Sequence, residues 1–183
     1  ANTETVVGHA TLATGADPAN HGMIGNIWFD KELGRSVYNI EDDRYSLVGD
    51  GGGVDQKNEK DPTQKVAKTD GRSPRALLTT TLSDELALST NGKSKIFAVS
   101  VKDRGAVPMA GHAGKAYWFS KAKGEFVTST YYYDAYPAWV DAWNRKGLAK
   151  AYANTNWNLM HGKSTYKNGN FDDMPWEIKL PGF

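Results

Sequence analysis

The sequence predicts an α/β fold, and three observations carry that prediction. A helix signal opens at Ser73-Pro74, repeats Leu78, Leu82 and Leu86 four apart, and ends at Asn91-Gly92. Serine caps such a helix and proline fits its first turn. The helix feeds the short apolar run Lys95 to Val101, of the kind that fills a buried parallel strand; a helix entering such a strand is half of a βαβ unit. Two further stretches read as β-hairpins: residues 27–30 and 35–40 joined by KELG, and Lys115 to Ser120 with Glu125 to Thr130 around KAKG. Both set aromatic and β-branched residues on either side of a Gly-containing turn.

In chain order, the first element is a short helix over Val6 to Thr14, with Thr5 at or just before its first turn and Gly15 in the left-handed closing position. Two valines and Gly8 make it a poor helix in isolation, so tertiary packing must hold it. Residues 50–72 are rich in Gly, Asp and Lys and read as a long exposed loop of little order. Pro137 opens another short helix that ends at Gly147, and the tail from Asn154 carries Trp157, Tyr166 and Trp176 with little periodicity. One domain over 1–183 is expected, with 115–183 forming a hairpin and a cap-like insertion.

At 183 residues the chain can bury one core, and it carries 39% hydrophobic and 23% charged residues. With 22 basic and 21 acidic residues the net charge is +1, which gives no broad electrostatic case for nucleic acid or a membrane surface. No run approaches the ~20 apolar residues of a membrane span. Cysteine is absent, which rules out disulfides and thiolate metal sites and leaves the compartment open. The opening ANTETVV lacks the basic region and apolar run of a signal peptide and has no Met; a start this close to the chemistry is expected to have been cut from a longer chain.

The opening of a helix gathers free N–H groups and the positive end of the dipole, which suits an oxyanion. A hydroxyl there, that of Thr5, is a candidate nucleophile, although Thr3 or Thr5 can equally be a helix cap. Lys102-Asp103-Arg104 follows the apolar run, beyond a strand end, where α/β sheets bind ligands. On a regular strand Lys102 and Arg104 would point to one side; the arginine fork grips two oxygens and lysine supplies a point charge. The alternative is a solvated strand end with Asp103 as the partner. Asn26 follows Gly25 and has a turn role as its alternative. His9, His21, His112 and His161 show no metal-pair spacing, and Tyr131 to Tyr133 can stack on a leaving group or simply pack.

Residues 3–30, TETVVGHATLATGADPANHGMIGNIWFD, resemble the nucleophile segment of the alkaline phosphatase superfamily, in the branch holding type I phosphodiesterases and nucleotide pyrophosphatases. Thr3, Thr5, His9, Thr14-Gly15, His21-Gly22, Asn26 and Phe29-Asp30 fall in register with it. A second segment, VSVKDRGAVPMAGHAGKAYWF, is similar to the Lys-x-Arg-bearing strand end of the Flavobacterium-type alkaline phosphatases. The resemblance implies a partial alkaline-phosphatase-like sheet with flanking helices and hairpin insertions. It implies Thr5 as a zinc-coordinating nucleophile that forms a phosphothreonine, and Asn26, Lys102 and Arg104 as ligands of the substrate phosphate. His9, His21 and His112 take structural roles. The Lys–Arg pair meets the extra charge of a monoester, and diesterase members lack it, so phosphate monoesters are expected.

The resemblance also implies two zinc ions, whose other ligands are an upstream aspartate, an Asp-x-x-x-His segment, an Asp-His pair and a late histidine. Of that set only Thr5 is assigned here, so the isolated chain is expected to bind zinc weakly or not at all and to turn over little. Association with the remaining segment of the parent, or with itself through an exposed sheet edge, is expected, as is a periplasmic or secreted bacterial location. The competing readings are a phosphodiesterase or nucleotide pyrophosphatase, and a non-catalytic phosphate-binding module.

Overall fold

The structure is a computed structural model that describes residues 4–152, 155–156 and 158–166. The chain divides into two units, Ala1–Lys146 and Gly147–Phe183.

In the first unit, helix α1 (Thr5–Thr14) buries Val6, Val7, Ala10 and Ala13, a spacing that lines one face. It closes at Gly15, whose φ of 68° lets its N–H reach the Thr11 carbonyl at 2.8 Å, as expected. The short helix α2 (Pro18–His21) is capped by the Asp17 side chain, which accepts from Asn20 N at 3.1 Å. Strands β1 (Ile27–Asp30) and β2 (Arg35–Tyr38) form the first hairpin, with Ile27 opposite Tyr38. Its turn is held by Asp30 Oδ1, which accepts from the N–H groups of Glu32 and Leu33 at 2.9 Å each.

The helix expected at Ser73-Pro74 starts later. Pro74 opens only a turn, closed by Leu77 N on the Pro74 carbonyl at 2.9 Å, and helix α3 runs over Leu82–Ser89. A stronger start signal wins: Thr81 Oγ1 accepts from Asp84 N at 3.1 Å and Asp84 Oδ2 accepts from Thr81 N at 2.9 Å, a reciprocal capping box. The leucine repeat does not face the core, since Leu78, Leu82 and Leu86 are all exposed.

Strand β3 (Phe97–Ser100), helix α4 (Asp103–Ala110), strand β4 (Lys115–Ser120) and strand β5 (Glu125–Val127) make a three-stranded sheet in the order β3-β4-β5. β3 runs parallel to β4 with α4 as the crossover, and β4 pairs antiparallel with β5 to give the second hairpin. The parallel strand is therefore present, but it lies at an edge, with Phe97, Val99 and Val101 exposed rather than buried. On the core side, Val6, Val7 and Ala10 of α1 join Ala106, Val107 and Ala110 of α4 in one cluster with Tyr38, Ala116, Trp118 and Val127. Burying a valine fully contributes about 2 kcal/mol, and this contact holds α1 in spite of its weak propensity. Helix α5 (Ala138–Asn144) is tied to β5 by Asn144, which accepts from Phe126 N at 3.0 Å and donates to the Phe126 carbonyl at 2.8 Å.

The segment 50–72 departs from the expected exposed loop in its later part. From Glu59 onward the segment packs: Glu59, Ala67 and Arg72 are buried, and a 3-10 turn forms at Gln64–Val66. In the second unit, helix α6 (Leu148–Ala151) follows Gly147, and a 3-10 turn covers Lys163–Thr165. The expectations for Trp157, Trp176 and the far end of the cap-like insertion fall outside the described residues.

Candidate active site

Thr5 is the first residue of α1 and is exposed. It is not the cap: Glu4 holds that position, without a side-chain cap bond; Thr3 lies outside the described residues. The cap-like bond to the helix comes instead from 20 residues away, where Asn26 Oδ1 accepts from Val6 N at 3.2 Å. An N–H can only meet the amide oxygen, so this bond fixes the orientation of the Asn26 amide and leaves its Nδ2 without an acceptor among the described residues. The Asn26 backbone is anchored on both sides. Its N–H donates to the Glu4 carboxylate, and its carbonyl accepts from Asn39 N at 3.2 Å and Asn39 Nδ2 at 2.6 Å. Asn26 is thus more than a turn residue, because it ties the hairpin to the start of α1.

The expected geometry of Lys102 and Arg104 needs correction. They do not alternate along a strand: β3 ends at Ser100, Lys102 is the cap residue of α4, and Arg104 sits in that helix's first turn. Their heads converge all the same. Lys102 Nζ and Arg104 Nη2 both donate to Asp61 Oδ2, the second at 2.8 Å. Arg104 Nη1 donates to Thr63 Oγ1 at 2.7 Å, and Arg104 is only 5% exposed. Burial alone would raise the Asp61 carboxyl, but bonds from Lys102, Thr63 and Arg104 hold it far below the usual carboxylate range.

Asp103, the alternative partner, belongs to another pair. Its Oδ2 accepts from Arg72 Nε at 2.7 Å, and its Oδ1 accepts from Tyr38 OH at 2.7 Å and Gln64 Nε2 at 3.1 Å. Arg72 and Asp103 are each 3% exposed in their side chains. Burial beside Asp103 pushes the Tyr38 phenol far up, so it stays a donor.

The two halves meet where α1 lies on α4: a Cβ added at Gly105 would fall 3.6 Å from His9 Nε2 and 2.7 Å from Ser100 Oγ. Glycine at that position allows the close approach. His9 Nδ1 bonds the Thr5 carbonyl at 2.8 Å. His21, whose pKa burial lowers, accepts from Met23 N at Nδ1, so its Nε2–H faces Thr11 Oγ1 at 3.1 Å. His112 lies between Asp84 Oδ2 and the Leu77 carbonyl, at 3.0 Å from each. All three histidines hold local structure. Among the described residues no group of three or more His, Cys, Asp or Glu gathers as a metal site. Thr5 alone supplies one oxygen where zinc takes about four ligands, so these residues do not fit the metal pair that the resemblance implies.

The chain matches the family described as type I phosphodiesterase / nucleotide pyrophosphatase over residues 1–167. It belongs to that family. Within this phosphodiesterase/pyrophosphatase family it is similar to alkaline phosphatase PhoV of Synechococcus elongatus, at 38% identity over 182 residues, covering 98% of this chain and 30% of that one. Its fold is similar to the crystal structure of wild-type alkaline phosphatase PafA, with a TM-score of 0.81 and 38% identity over 97% of this chain and 32% of that one. A PafA variant with a threonine changed to serine, and an asparagine, a lysine and an arginine changed to alanine, matches with a TM-score of 0.80 and 34% identity over the same shares. The chain spans about a third of the length of these relatives. The α/β expectation and the family resemblance both hold.

Asp61, Thr63 and Arg72 are the site residues that sequence reasoning missed. Asp61-Pro62-Thr63 carries a turn signature, an Asp whose side chain bonds backbone two residues on, which argues for local order. Nothing local says that Asp61 meets cations 41 and 43 residues away.

Proposed function

We propose that this chain is the nucleophile-bearing part of a zinc-dependent alkaline phosphatase that hydrolyses phosphate monoesters through a phosphothreonine intermediate. The observation that carries the reading is the convergence of Lys102 and Arg104 on one carboxylate oxygen. Two cations within reach of a single oxygen form one anion-binding locus, suited to the dianionic phosphoryl group of a monoester. Thr5 is exposed, so its hydroxyl proton passes to solvent as Oγ1 attacks phosphorus. The Oγ1–P bond forms as the bond from phosphorus to the ester oxygen breaks, the alcohol leaves with a proton from solvent, and water then hydrolyses the phosphothreonine to free phosphate. Asn26 Nδ2 and the two cations meet the transferred oxygens. Support also comes from the PafA variant: its four altered residue types are those of Thr5, Asn26, Lys102 and Arg104, with the same threonine-to-asparagine and lysine-to-arginine intervals.

The remaining zinc ligands are then supplied from beyond the described residues, and these 183 residues alone turn over p-nitrophenyl phosphate poorly or not at all. β3 is an outer strand of the sheet among the described residues, which favours pairing with further strands of the same protein or with a second copy. Export to the bacterial periplasm or medium, with a small phosphate ester as substrate, completes the reading.

The test compares a monoester with a diester in the full-length enzyme. Lys102→Ala with Arg104→Ala is expected to lower monoester kcat/KM on the order of a hundredfold or more, with a much smaller loss for the diester. Equal losses would favour a phosphodiesterase or nucleotide pyrophosphatase. Phosphate binding without zinc that survives Thr5→Val, with no turnover, would favour a non-catalytic phosphate-binding module.

A further inference from the structure

We propose that Asp61 and Thr63 form a positioning clamp that presents Arg104 and Lys102 to the phosphoryl group. This rests on reading Lys102 and Arg104 as phosphate ligands. The clamp is set by its own turn: Asp61 Oδ1 accepts from Thr63 N at 3.0 Å and from Thr63 Oγ1 at 2.7 Å. That leaves Oδ2 for the cations. Thr63 Oγ1 and Asp61 Oδ2 each take one terminal nitrogen of Arg104, at 2.7 and 2.8 Å, and two acceptors on a planar fork fix its plane.

The turn is also tied to the sheet. Asp61 N donates to Glu59 Oε1 at 2.9 Å, and the same oxygen accepts from Lys121 Nζ at 2.8 Å, directly after β4. A guanidinium has five N–H donors. Arg104 Nε is buried and makes no hydrogen bond to the described residues, and the Tyr38 phenol lies beside the guanidinium, so the clamp holds the fork at its two terminal nitrogens. Asp61 also removes one unit of charge from the pair. It therefore acts by geometry, since by charge alone its loss would strengthen anion binding.

The test uses the full-length enzyme with p-nitrophenyl phosphate and bis-p-nitrophenyl phosphate. Asp61→Ala is expected to lower monoester kcat/KM by about a hundredfold, the scale of a misplaced catalytic group, with a smaller loss for the diester. Asp61→Asn, which keeps an acceptor, should recover part of it, and Thr63→Val should lose less. In the Lys102→Ala/Arg104→Ala background, Asp61→Ala should have no further effect. Equal losses on both esters, a full further loss in that background, or a gain in activity or phosphate inhibition would each overturn the clamp. Arg104 side-chain NMR signals of this chain give a readout free of the phosphatase reading: distinct signals should collapse to the free-arginine position in Asp61→Ala. If the full-length protein hydrolyses neither ester, the phosphatase reading fails, and Arg104 signals unchanged by Asp61→Ala would overturn the clamp on their own.

Discussion

Thr5 and Arg104 lie in the opening turns of two helices that pack on each other, yet their surroundings are opposite. Thr5 is exposed and its side chain bonds no described residue, while Arg104 is 5% exposed and held at both terminal nitrogens. On the proposed reading the Thr5 hydroxyl reaches a phosphorus atom and has to stay accessible, so its placement is delegated to the backbone of α1 and to Asn26. Cations that must stay desolvated have to be paired, because an unpaired buried charge is strongly destabilising. One end of the site is therefore held through its helix, the other through side-chain bonds.

Substitutions at each end should separate these two modes of support. The largest effect is expected from Thr5→Val in the full-length enzyme. Turnover of p-nitrophenyl phosphate should fall on the order of a thousandfold or more, while the circular-dichroism melting temperature stays put. A fall in melting temperature would show that Thr5 holds structure after all. At the bonded end the reverse is expected for Asp103→Ala, which strands Arg72 in a buried site. Urea titration should show a loss of about 3–5 kcal/mol, and a loss under about 1 kcal/mol would mean that water replaces the pair.

Asn26→Ala should do some of both. The lost bond to Val6 N resembles a missing helix cap, at about 1 kcal/mol in a denaturant titration, and turnover should fall with the lost Nδ2 donor. The mildest probe is acid. Burial alone would raise Asp42, but bonds from Arg44 and Ser73 hold its carboxyl down at about 2; Asp61 is shifted in the same direction. Both pKa values are depressed in the folded state, so their stabilisation is complete above the unfolded value of about 4 and is lost as pH falls through the folded values. Melting temperatures between pH 5 and 2 should drop, with a shallower slope in Asp61→Asn; a parallel slope would show that Asp61 contributes nothing to it.

The features readable in the sequence are those with local causes. Gly15 closes α1 because a left-handed residue was needed there, and both hairpins follow from glycine-bearing turns between aromatic and β-branched runs. Local signals misled where two of them competed. Ser73-Pro74 looked like a helix start, and the Thr81–Asp84 capping box eight residues on took the role. The leucine repeat and the apolar run before Lys102 suggested burial, yet periodicity says which residues share a face and not what covers that face.

From its sequence alone this protein has a family, an α/β class, and four residues whose types suit phosphate chemistry. Tertiary structure alone decided that Lys102 and Arg104 begin a helix and that Asp61 joins them across 41 and 43 residues. It also decided that Arg72, 31 residues away, takes Asp103. The reason is range: caps and turns are set by neighbours a few positions apart, whereas the partner of a buried charge is whichever opposite charge the packed chain brings within about 4 Å.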